Sequence, residues 1–340
     1  KNSDIAVLHE FYTSTGGPNW IKEYQNWNFT KDKNSNAFIV DPCSPSLPNN
    51  FIGIECTCNI TACEINKITV NSGNLKGTIP SSIGQLTNLE VLTLFDNELS
   101  GEIPKELRKL IKLESIYLYD NVFSKTIPPE LGQLVSIQNI VLTNNQLTGN
   151  IPKELSALNN TLQILDFGNN DLLSSIPTEF GFLTTLKHFN MQNNRLYGGI
   201  PPQLGQLKLL VSINLYNNFL TSTIPPELGD LTNLQVLSLY NNLLTGVLPP
   251  QLCKLKSIQE LLVNSNNLKG ILPKEYAELT TLKSMGLSNN ELSGPLPSEL
   301  RQLLNLTALV MNNNKFSSTI PSEISEMSSL TVMNMYSNKF

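Results

Sequence analysis

The stretch Asn97-Glu-Leu99-Ser-Gly101-Glu-Ile103-Pro104 recurs along most of the chain, for example as Asn145-Gln-Leu147-Thr-Gly149-Asn-Ile151-Pro152. An Ile-Pro or Leu-Pro pair marks every copy, and nine of the ten intervals between successive prolines are 24 residues while one is 25. These prolines are Pro80, Pro104, Pro128, Pro152, Pro177, Pro201, Pro225, Pro249, Pro273, Pro297 and Pro321. A fixed period indicates a repeat architecture. The 340 residues therefore predict one array of stacked units, although length alone would favour two domains.

Each copy also contains two apolar residues, five and three positions before its asparagine, or before Gly73 in the first copy. Alternation with a period of two predicts a short strand with one buried face. The pairs are Ile68/Val70, Leu92/Leu94, Ile116/Leu118, Ile140/Leu142, Leu165/Phe167, Phe189/Met191, Ile213/Leu215, Leu237/Leu239, Leu261/Val263, Met285/Leu287, Leu309/Met311 and Met333/Met335. We expect about twelve strands over residues 64–340, with the last repeat incomplete, after an N-terminal capping region at residues 1–63.

Asparagine is unusually frequent, at 43 of 340 residues, and eleven copies occupy one phase of the repeat. They are Asn97, Asn121, Asn145, Asn170, Asn194, Asn218, Asn242, Asn266, Asn290, Asn314 and Asn338. A carboxamide both donates and accepts hydrogen bonds, so it can satisfy main-chain groups where a buried chain bends sharply. This phase therefore predicts a structural ladder rather than a ligand-binding surface.

The full consensus, L-x-x-L-x-L-x-x-N-x-L-x-G-x-I-P-x-x-L-G-x-L, resembles the plant-type leucine-rich repeat of receptor-kinase ectodomains and polygalacturonase-inhibiting proteins, over residues 64–340. The resemblance implies an α/β repeat solenoid, a right-handed superhelix of 24-residue repeats with a parallel β-sheet on its concave face. It also implies an extracellular protein that binds peptides, proteins or glycans on that face. Four positions depart from the consensus glycine, namely Lys125, Ser174, Ser222 and Ser318. We expect a non-uniform backbone there.

Four cysteines, Cys43, Cys56, Cys58 and Cys63, precede the regular repeats and allow three disulfide connectivities. The N-terminal cap of the family carries a Cys pair that closes a loop like the one between Cys43 and Cys56. The resemblance thus implies Cys43–Cys56 and Cys58–Cys63. A zinc site is the alternative, but one residue between Cys56 and Cys58 fits structural zinc poorly. Disulfides indicate an oxidising compartment, so we expect a secreted or cell-surface protein.

Four N-x-S/T sequons predict N-linked glycans at Asn28, Asn59, Asn159 and Asn305, and Asn159 lies within the one-residue insertion of the 25-residue interval. The net charge of −5 and the lack of a basic run argue against a nucleic-acid partner. The sequence contains no uninterrupted stretch of 18 apolar residues, so it predicts no membrane span within these residues. We expect no cofactor and no metal ion.

Side chains on the outer face of the predicted strands lie six, four, two and one positions before each ladder asparagine. Exposed tyrosine beside a carboxylate suits recognition of a peptide or sugar, because the ring offers rigid area and the hydroxyl a hydrogen bond. The alternative is that tyrosine simply fits a half-buried strand. The candidate ligand-binding residues are Phe95, Asp96, Tyr117, Tyr119, Asp120, His188, Tyr216 and Tyr240.

Catalysis is not expected. His188, Ser212 and Asp166 resemble a Ser-His-Asp set on adjacent predicted strands. Asp166, however, is a diagonal neighbour of His188, and diagonal neighbours in a sheet lie roughly 7 to 8 Å apart. Nothing in the sequence supplies an oxyanion hole. The glutamates two residues after many of the prolines, such as Glu106, are read as residues of helix first turns rather than as ligands of a cation ladder.

The leading hypothesis is a non-enzymatic extracellular recognition module. The rival is a glycosylated scaffold or filament subunit that associates end to end, because the sequence stops at Phe340, within a repeat. We expect either that the natural chain continues or that another subunit covers this end. Ice binding by Thr and Asn columns is less favoured, because the outer columns are irregular.

Overall fold

The computed structural model describes residues 2–27, 29–32, 38, 42–43, 51–58 and 63–340. Two compact units divide the chain, Lys1–Asp171 and Leu172–Phe340.

The first unit begins with an aromatic cap. Helix Asn2–Ser14 and the short 3₁₀ helices Gly17–Asn19 and Lys22–Tyr24 bring together the rings of Trp20 and Trp27, whose centroids lie 4.9 Å apart. Both indoles are buried and both N–H groups are satisfied: Trp20 Nε1 donates to the Thr15 carbonyl at 2.9 Å, and Trp27 Nε1 donates to the Ile52 carbonyl at 3.0 Å. These buried, hydrogen-bonded indoles hold the loop-rich cap together. The Ile21 N–H donates to the Gly73 carbonyl at 3.0 Å and joins the cap to the first repeat.

Two disulfides close the cap, and the predicted pairing is confirmed. Cys43 bonds to Cys56, and Cys58 bonds to Cys63. The second bridge joins two antiparallel strands, Ile54–Cys58 and Cys63–Thr69. The fifth cysteine, Cys253 in the second unit, forms no disulfide and is half-buried.

Parallel strands follow, one for each repeat. In the first unit they are Cys63–Thr69, Val91–Thr93, Ser115–Tyr117, Asn139–Val141 and Ile164–Asp166. In the second unit they are His188–Asn190, Ser212–Asn214, Val236–Ser238, Glu260–Leu262, Ser284–Gly286, Ala308–Val310 and Val332–Asn334. Val91 lies opposite Ser115, and Val236 opposite Glu260. Pairing therefore follows the repeat period, and equal positions of successive repeats form columns.

Each repeat then turns through a short second strand and a 3₁₀ helix. The second strands are Lys76–Gly77, Glu98–Gly101, Val122–Thr126 and Gln146–Gly149 in the first unit, and Tyr197–Gly198, Phe219–Leu220, Thr245–Gly246, Asn267–Gly270, Glu291–Gly294 and Lys315–Phe316 in the second, with Asp171–Leu172 at the boundary. The 3₁₀ helices are Ser81–Gln85, Lys105–Lys109, Pro129–Gln133, Lys153–Leu158, Thr178–Phe182, Pro202–Gln206, Pro226–Asp230, Pro250–Lys254, Lys274–Glu278, Ser298–Gln302 and Ser322–Glu326. The repeat proline caps each of them because its fixed φ suits that position. Glutamates such as Glu106 lie in the first turn, as expected.

The asparagine ladder forms inside each repeat. The amide oxygen of Asn218 accepts from the Leu196 N–H at 2.9 Å. Its amide nitrogen donates to the carbonyls of Met191 and Leu215 at 3.0 and 3.1 Å. Each of the eleven ladder asparagines accepts a hydrogen bond from a main-chain N–H of the preceding repeat. Each also donates a hydrogen bond to a main-chain carbonyl of its own repeat. The ladder thus supplies partners for buried main-chain groups that would otherwise be left unsatisfied.

The four departures from the consensus glycine behave differently from one another. Lys125, Ser222 and Ser318 keep the left-handed backbone of the glycines, with φ of 69°, 67° and 77°. Ser174 does not take a positive φ, and its hydroxyl donates to the Ser175 carbonyl at 2.7 Å. The expected non-uniformity of the backbone is therefore confined to Ser174.

Candidate ligand-binding face

The outer face of the parallel strands is built from two kinds of position. Residues six and four places before a ladder asparagine lie on the strand itself, whereas residues two places and one place before it lie in the bend that follows. Equal positions of adjacent strands lie roughly 4.8 Å apart. That spacing is close to the separation of stacked aromatic rings, so two aromatic residues in one column of adjacent repeats can stack face to face.

The first aromatic pair is Phe95 and Tyr119, in the first unit. Their ring centroids lie 4.4 Å apart with an interplanar angle of 8°, and both side chains are half-buried. Tyr117, also half-buried, ends the strand that leads to Tyr119. The structure therefore brings the candidate residues Phe95 and Tyr119 into direct contact.

The carboxylates beside this first pair have structural partners. The carboxylate of Asp96 accepts from the Ser72 hydroxyl at 2.6 Å, and that of Asp120 accepts from the Asn144 amide at 2.6 Å. Partial burial raises the pKa of Tyr119 above its usual value, and the charges of Asp120 and Asp96 raise it further. The pair thus lies in a negative environment that disfavours a tyrosinate and favours a neighbouring cation.

The second aromatic pair is Tyr216 and Tyr240, in the second unit. Its geometry matches the first, with centroids 4.4 Å apart and an interplanar angle of 8°. Partial burial raises the pKa of Tyr240, with further contributions from Tyr216 through charge and a hydrogen bond. The bend residues here are amides, and Asn241 donates to the Asn217 side-chain oxygen at 2.6 Å. This pair is therefore flanked by neutral groups.

The column one position before the ladder asparagines has a backbone feature that the sequence pattern alone did not reveal. Its residues, together with Ser72 before Gly73, all adopt a left-handed backbone with φ between 50° and 56°. They are Ser72, Asp96, Asp120, Asn144, Asn169, Asn193, Asn217, Asn241, Ser265, Asn289, Asn313 and Ser337. Asn and Asp tolerate this conformation better than most residues. Their restriction to Asn, Asp and Ser was the available signal, and it makes Asp96 and Asp120 turn residues as well as ligand candidates.

His188 lies in a different repeat from both aromatic pairs and is hydrogen-bonded to Ser212. Its Nδ1 is 2.9 Å from the Ser212 hydroxyl, on the adjacent strand, as the register predicts. Partial burial lowers the pKa of His188, and the charge of Lys187 lowers it further. Asp166 belongs to the first unit, where it accepts from the Thr143 hydroxyl and the Gly168 N–H. The Ser212 side chain is buried, so this pair is poorly placed to attack a substrate.

Two of the four predicted glycosylation sites lie in described segments. Asn159 is half-buried at the end of the 3₁₀ helix Lys153–Leu158, and Asn305 is exposed with its amide donating to the Thr280 carbonyl at 2.7 Å. Asn28 and Asn59 lie outside the described residues. Glycosylation at all four positions stays a prediction.

The described residues contain no candidate metal site and no candidate membrane-spanning helix. Across the ranges that the structure describes, no group of three or more His, Cys, Asp or Glu side chains could hold a metal ion. No helix in those ranges is both long enough and apolar enough to cross a bilayer.

The repeats match a known family model, described as Leucine Rich Repeat, at nine places. These are residues 88–110, 112–134, 136–158, 161–183, 185–207, 209–231, 233–255, 281–303 and 305–327. The matched segments make up more than half of the chain. A comparison with curated proteins finds no match.

Several solved structures are similar. The Arabidopsis receptor kinase HAESA, in complex with the peptide hormone IDA and the co-receptor SERK1, is 27% identical with a TM-score of 0.82, over 99% of this chain and 54% of that one. The plant peptide hormone receptor RGFR1, in complex with RGF2, is 32% identical with a TM-score of 0.75, over 85% and 53%. A TDR receptor is 32% identical with a TM-score of 0.77, over 79% and 47%. The chain spans about half the length of these structures.

A plant ice-binding protein also matches, at 24% identity and a TM-score of 0.67 over 87% of this chain, a likeness that shows the fold alone. The family matches, the in-register parallel strands and the asparagine ladder agree with one another. This chain belongs to the leucine-rich-repeat family, and its repeats are of the plant type.

Proposed function

We propose that this chain is a recognition module that binds a peptide or protein segment on the outer face of its parallel strands. The observation that carries the proposal is the pair of half-buried aromatic stacks, Phe95–Tyr119 and Tyr216–Tyr240, on faces whose other side chains are mostly polar. Stacked rings offer rigid apolar area that loses little conformational entropy on binding.

The comparisons support a peptide or protein ligand over a glycan. Two of the similar structures are plant receptors solved with peptide hormones, RGF2 and IDA. Because this chain spans about half of those structures, the ligand is assigned by class only. Binding of sugars, and of no peptides, at the two aromatic stacks would indicate a glycan ligand instead.

The two stacks favour different ligand groups. Asp96 and Asp120 flank the first stack, so we assign to it a side chain that combines apolar carbon with a positive charge, such as arginine. Asn217 and Asn241 flank the second stack, so we assign to it a neutral polar or apolar residue that can bond to amides.

The cellular setting and the lack of catalysis form part of the same proposal. The disulfides Cys43–Cys56 and Cys58–Cys63 support an oxidising, extracellular location. We assign no catalytic step to the strand face, and the His188–Ser212 hydrogen bond serves to join two adjacent strands. End-to-end association into filaments stays a prediction, to be checked by sedimentation at increasing protein concentration.

The test begins with peptides selected from a displayed random library against the wild-type chain. Their affinities are then measured for Tyr119→Ala and Tyr240→Ala, with Val135→Ala as control, because Val135 is 66% exposed in the turn after Pro129–Gln133. We expect each tyrosine variant to lose about tenfold in affinity, as truncation of an aromatic anchor commonly does. Selected peptides that bind both tyrosine variants as tightly as wild type would contradict the proposal.

A further inference from the structure

An apolar groove lies on the side of the second unit, away from the strand face. Its volume is about 540 Å³, and its outer wall is formed by Val247, Ile271 and Pro295 from three successive repeats. Val247 is 53% exposed and Ile271 is 61% exposed. The ring of Pro273 contributes to the lining, and proline has no N–H to offer a ligand. The groove is therefore a continuous apolar surface open to solvent.

Other repeats carry a different residue at the wall position, five places after the ladder asparagine or its equivalent Gly73. Val247, Ile271 and Pro295 are three consecutive apolar residues. The other described repeats have polar or small residues there, namely Thr78, Glu102, Thr126, Asn150, Ser175, Gly199, Thr223 and Thr319. The apolar character is thus local to these three repeats rather than a property of the fold.

Packing within the solenoid requires the shape of these side chains but not their apolarity. A Cβ placed at Gly270 would lie 2.9 Å from a methyl carbon of Val247. A Cβ placed at Gly149 would lie 2.8 Å from the methyl carbon of Thr126. Threonine therefore makes the same close contact to the next repeat while keeping its hydroxyl for solvent. Exposed methyl groups in place of that hydroxyl call for another explanation, and a binding surface supplies one.

The charges at the groove indicate what binds. Glu275 and Glu299, one from each of two adjacent repeats, belong to the lining and are half-buried. Neither carboxylate forms an ion pair or a hydrogen bond with any residue in the described ranges. Lys274, exposed on the same lining, offsets only one of the two charges. The groove is apolar with a net negative rim, which is complementary to an apolar side chain next to a cation.

We propose that this groove binds a segment of a partner protein in which an aromatic or branched apolar side chain lies next to Arg or Lys. The apolar side chain packs between Val247, Ile271 and Pro295, while the cation pairs with Glu275 and Glu299. This surface is separate from the strand face, so the inference does not rest on the function proposed above.

The test uses three capped tetrapeptides as probes: Arg-Trp-Leu-Arg, Glu-Trp-Leu-Glu and Arg-Ser-Asn-Arg. Methyl-labelled wild-type chain is titrated with each and followed by NMR. We expect Arg-Trp-Leu-Arg to shift the methyl signals of Val247 and Ile271 saturably, while the signals of Val135 stay in place. The acidic and the polar peptides should bind at least about tenfold more weakly. Equal binding of all three peptides, or no saturable shift at millimolar peptide, overturns the proposal.

Two variants complete the test by calorimetry. Val247→Thr with Ile271→Thr restores the residue found in four other repeats, so the fold should be kept, as an unchanged urea midpoint would verify. We expect this double threonine variant to bind Arg-Trp-Leu-Arg at least about tenfold more weakly than wild type does. Glu275→Gln with Glu299→Gln should leave the apolar contact and abolish the preference for the basic over the acidic peptide. If either variant binds as wild type does, the proposal fails.

Sedimentation distinguishes a partner-protein segment in the groove from a second copy of this chain. We expect wild type and the double threonine variant to have the same association state. A wild-type dimer that the threonine variant abolishes would assign the groove to self-association and overturn the assignment to a partner segment. Peptides selected on the strand face should bind the threonine variant unchanged, so failure here and failure of the proposed function give different results.

Discussion

The two aromatic stacks have the same geometry and different surroundings. Both have centroids 4.4 Å apart at an angle of 8°. Carboxylates follow the rings in the first unit, at Asp96 and Asp120, and amides follow them in the second, at Asn217 and Asn241. The strand spacing sets the geometry in both cases. The single residue between the ring and the ladder asparagine sets the charge, so it can change the chemistry of the face without altering the fold.

The largest effect should come from removing the ladder that both stacks share. Asn121→Ala and Asn218→Ala each leave several buried main-chain groups without a partner, at a cost of about 3 kcal/mol or more. Urea denaturation should show equal losses in the two units, and Asn241→Ser, in the exposed column, should lose far less. A large difference between Asn121→Ala and Asn218→Ala would show that the ladder does not contribute equally to the stability of the two units.

The difference in charge between the stacks gives the second effect. The double variant Asp96→Asn with Asp120→Asn should bind arginine-containing peptides selected on the strand face about tenfold more weakly. The salt dependence of their affinity should also fall. Asn217→Asp with Asn241→Asp should make the second stack behave like the first. Affinities measured at two ionic strengths check both results. An unchanged salt dependence in the Asp96→Asn, Asp120→Asn variant would be evidence against the arginine assigned to the first stack.

A smaller effect is expected from the backbone that both units share. Lys125→Gly and Ser222→Gly relieve a left-handed conformation and should each stabilise the chain by about 1 kcal/mol. Ser174→Gly should not, because Ser174 has no positive φ and its hydroxyl is bonded to Ser175. Urea midpoints of the three variants decide this, and a gain at Ser174 equal to the other two would refute the distinction.

The smallest effect concerns the tyrosine hydroxyls. The pKa of Tyr119 and that of Tyr240 are both raised, first by burial, and then by Asp120 in one case and by Tyr216 in the other. Asp120→Asn should lower the pKa of Tyr119 and leave that of Tyr240 unchanged, while Tyr216→Phe should do the reverse. Carbon-13 NMR of labelled tyrosine follows both titrations.

The sign of the linked stability follows from these directions. A raised pKa in the folded chain means that the folded state holds its proton more tightly than the unfolded state. The stabilisation is therefore complete below the ordinary tyrosine pKa and declines as the pH rises through the folded-state pKa. Alkaline urea titrations that showed stability rising over this range would contradict the assignment.

Much of the fold was predictable because the repeat reports the same constraint many times. The ladder and the disulfide pairing that the family resemblance implied are confirmed. Eleven of the twelve apolar pairs are buried, and the last pair, Met333/Met335, is half-buried. The left-handed column at Asp96 and Asp120 was missed because Asn, Asp and Ser suit both an outward polar side chain and a turn. The groove at Val247 was missed because single exposed valines are common and need no explanation. Only comparison with Thr126 and its contact to Gly149 shows what is unusual. The boundary at residues 63 and 64 and the individual ligand residues stay predictions.

The asparagine ladder also bears on how such a chain evolves. Leu147 donates to Asn170, and Leu172 donates to Asn194, at 3.0 Å in both cases, although the first pair is 23 residues apart and the second 22. The extra residue of the 25-residue repeat is thus absorbed outside the ladder. Duplication of a whole repeat breaks one set of these bonds and creates two equivalent sets. The gene can therefore lengthen in units of one repeat while its newest copy, still redundant for folding, is free to acquire a new surface.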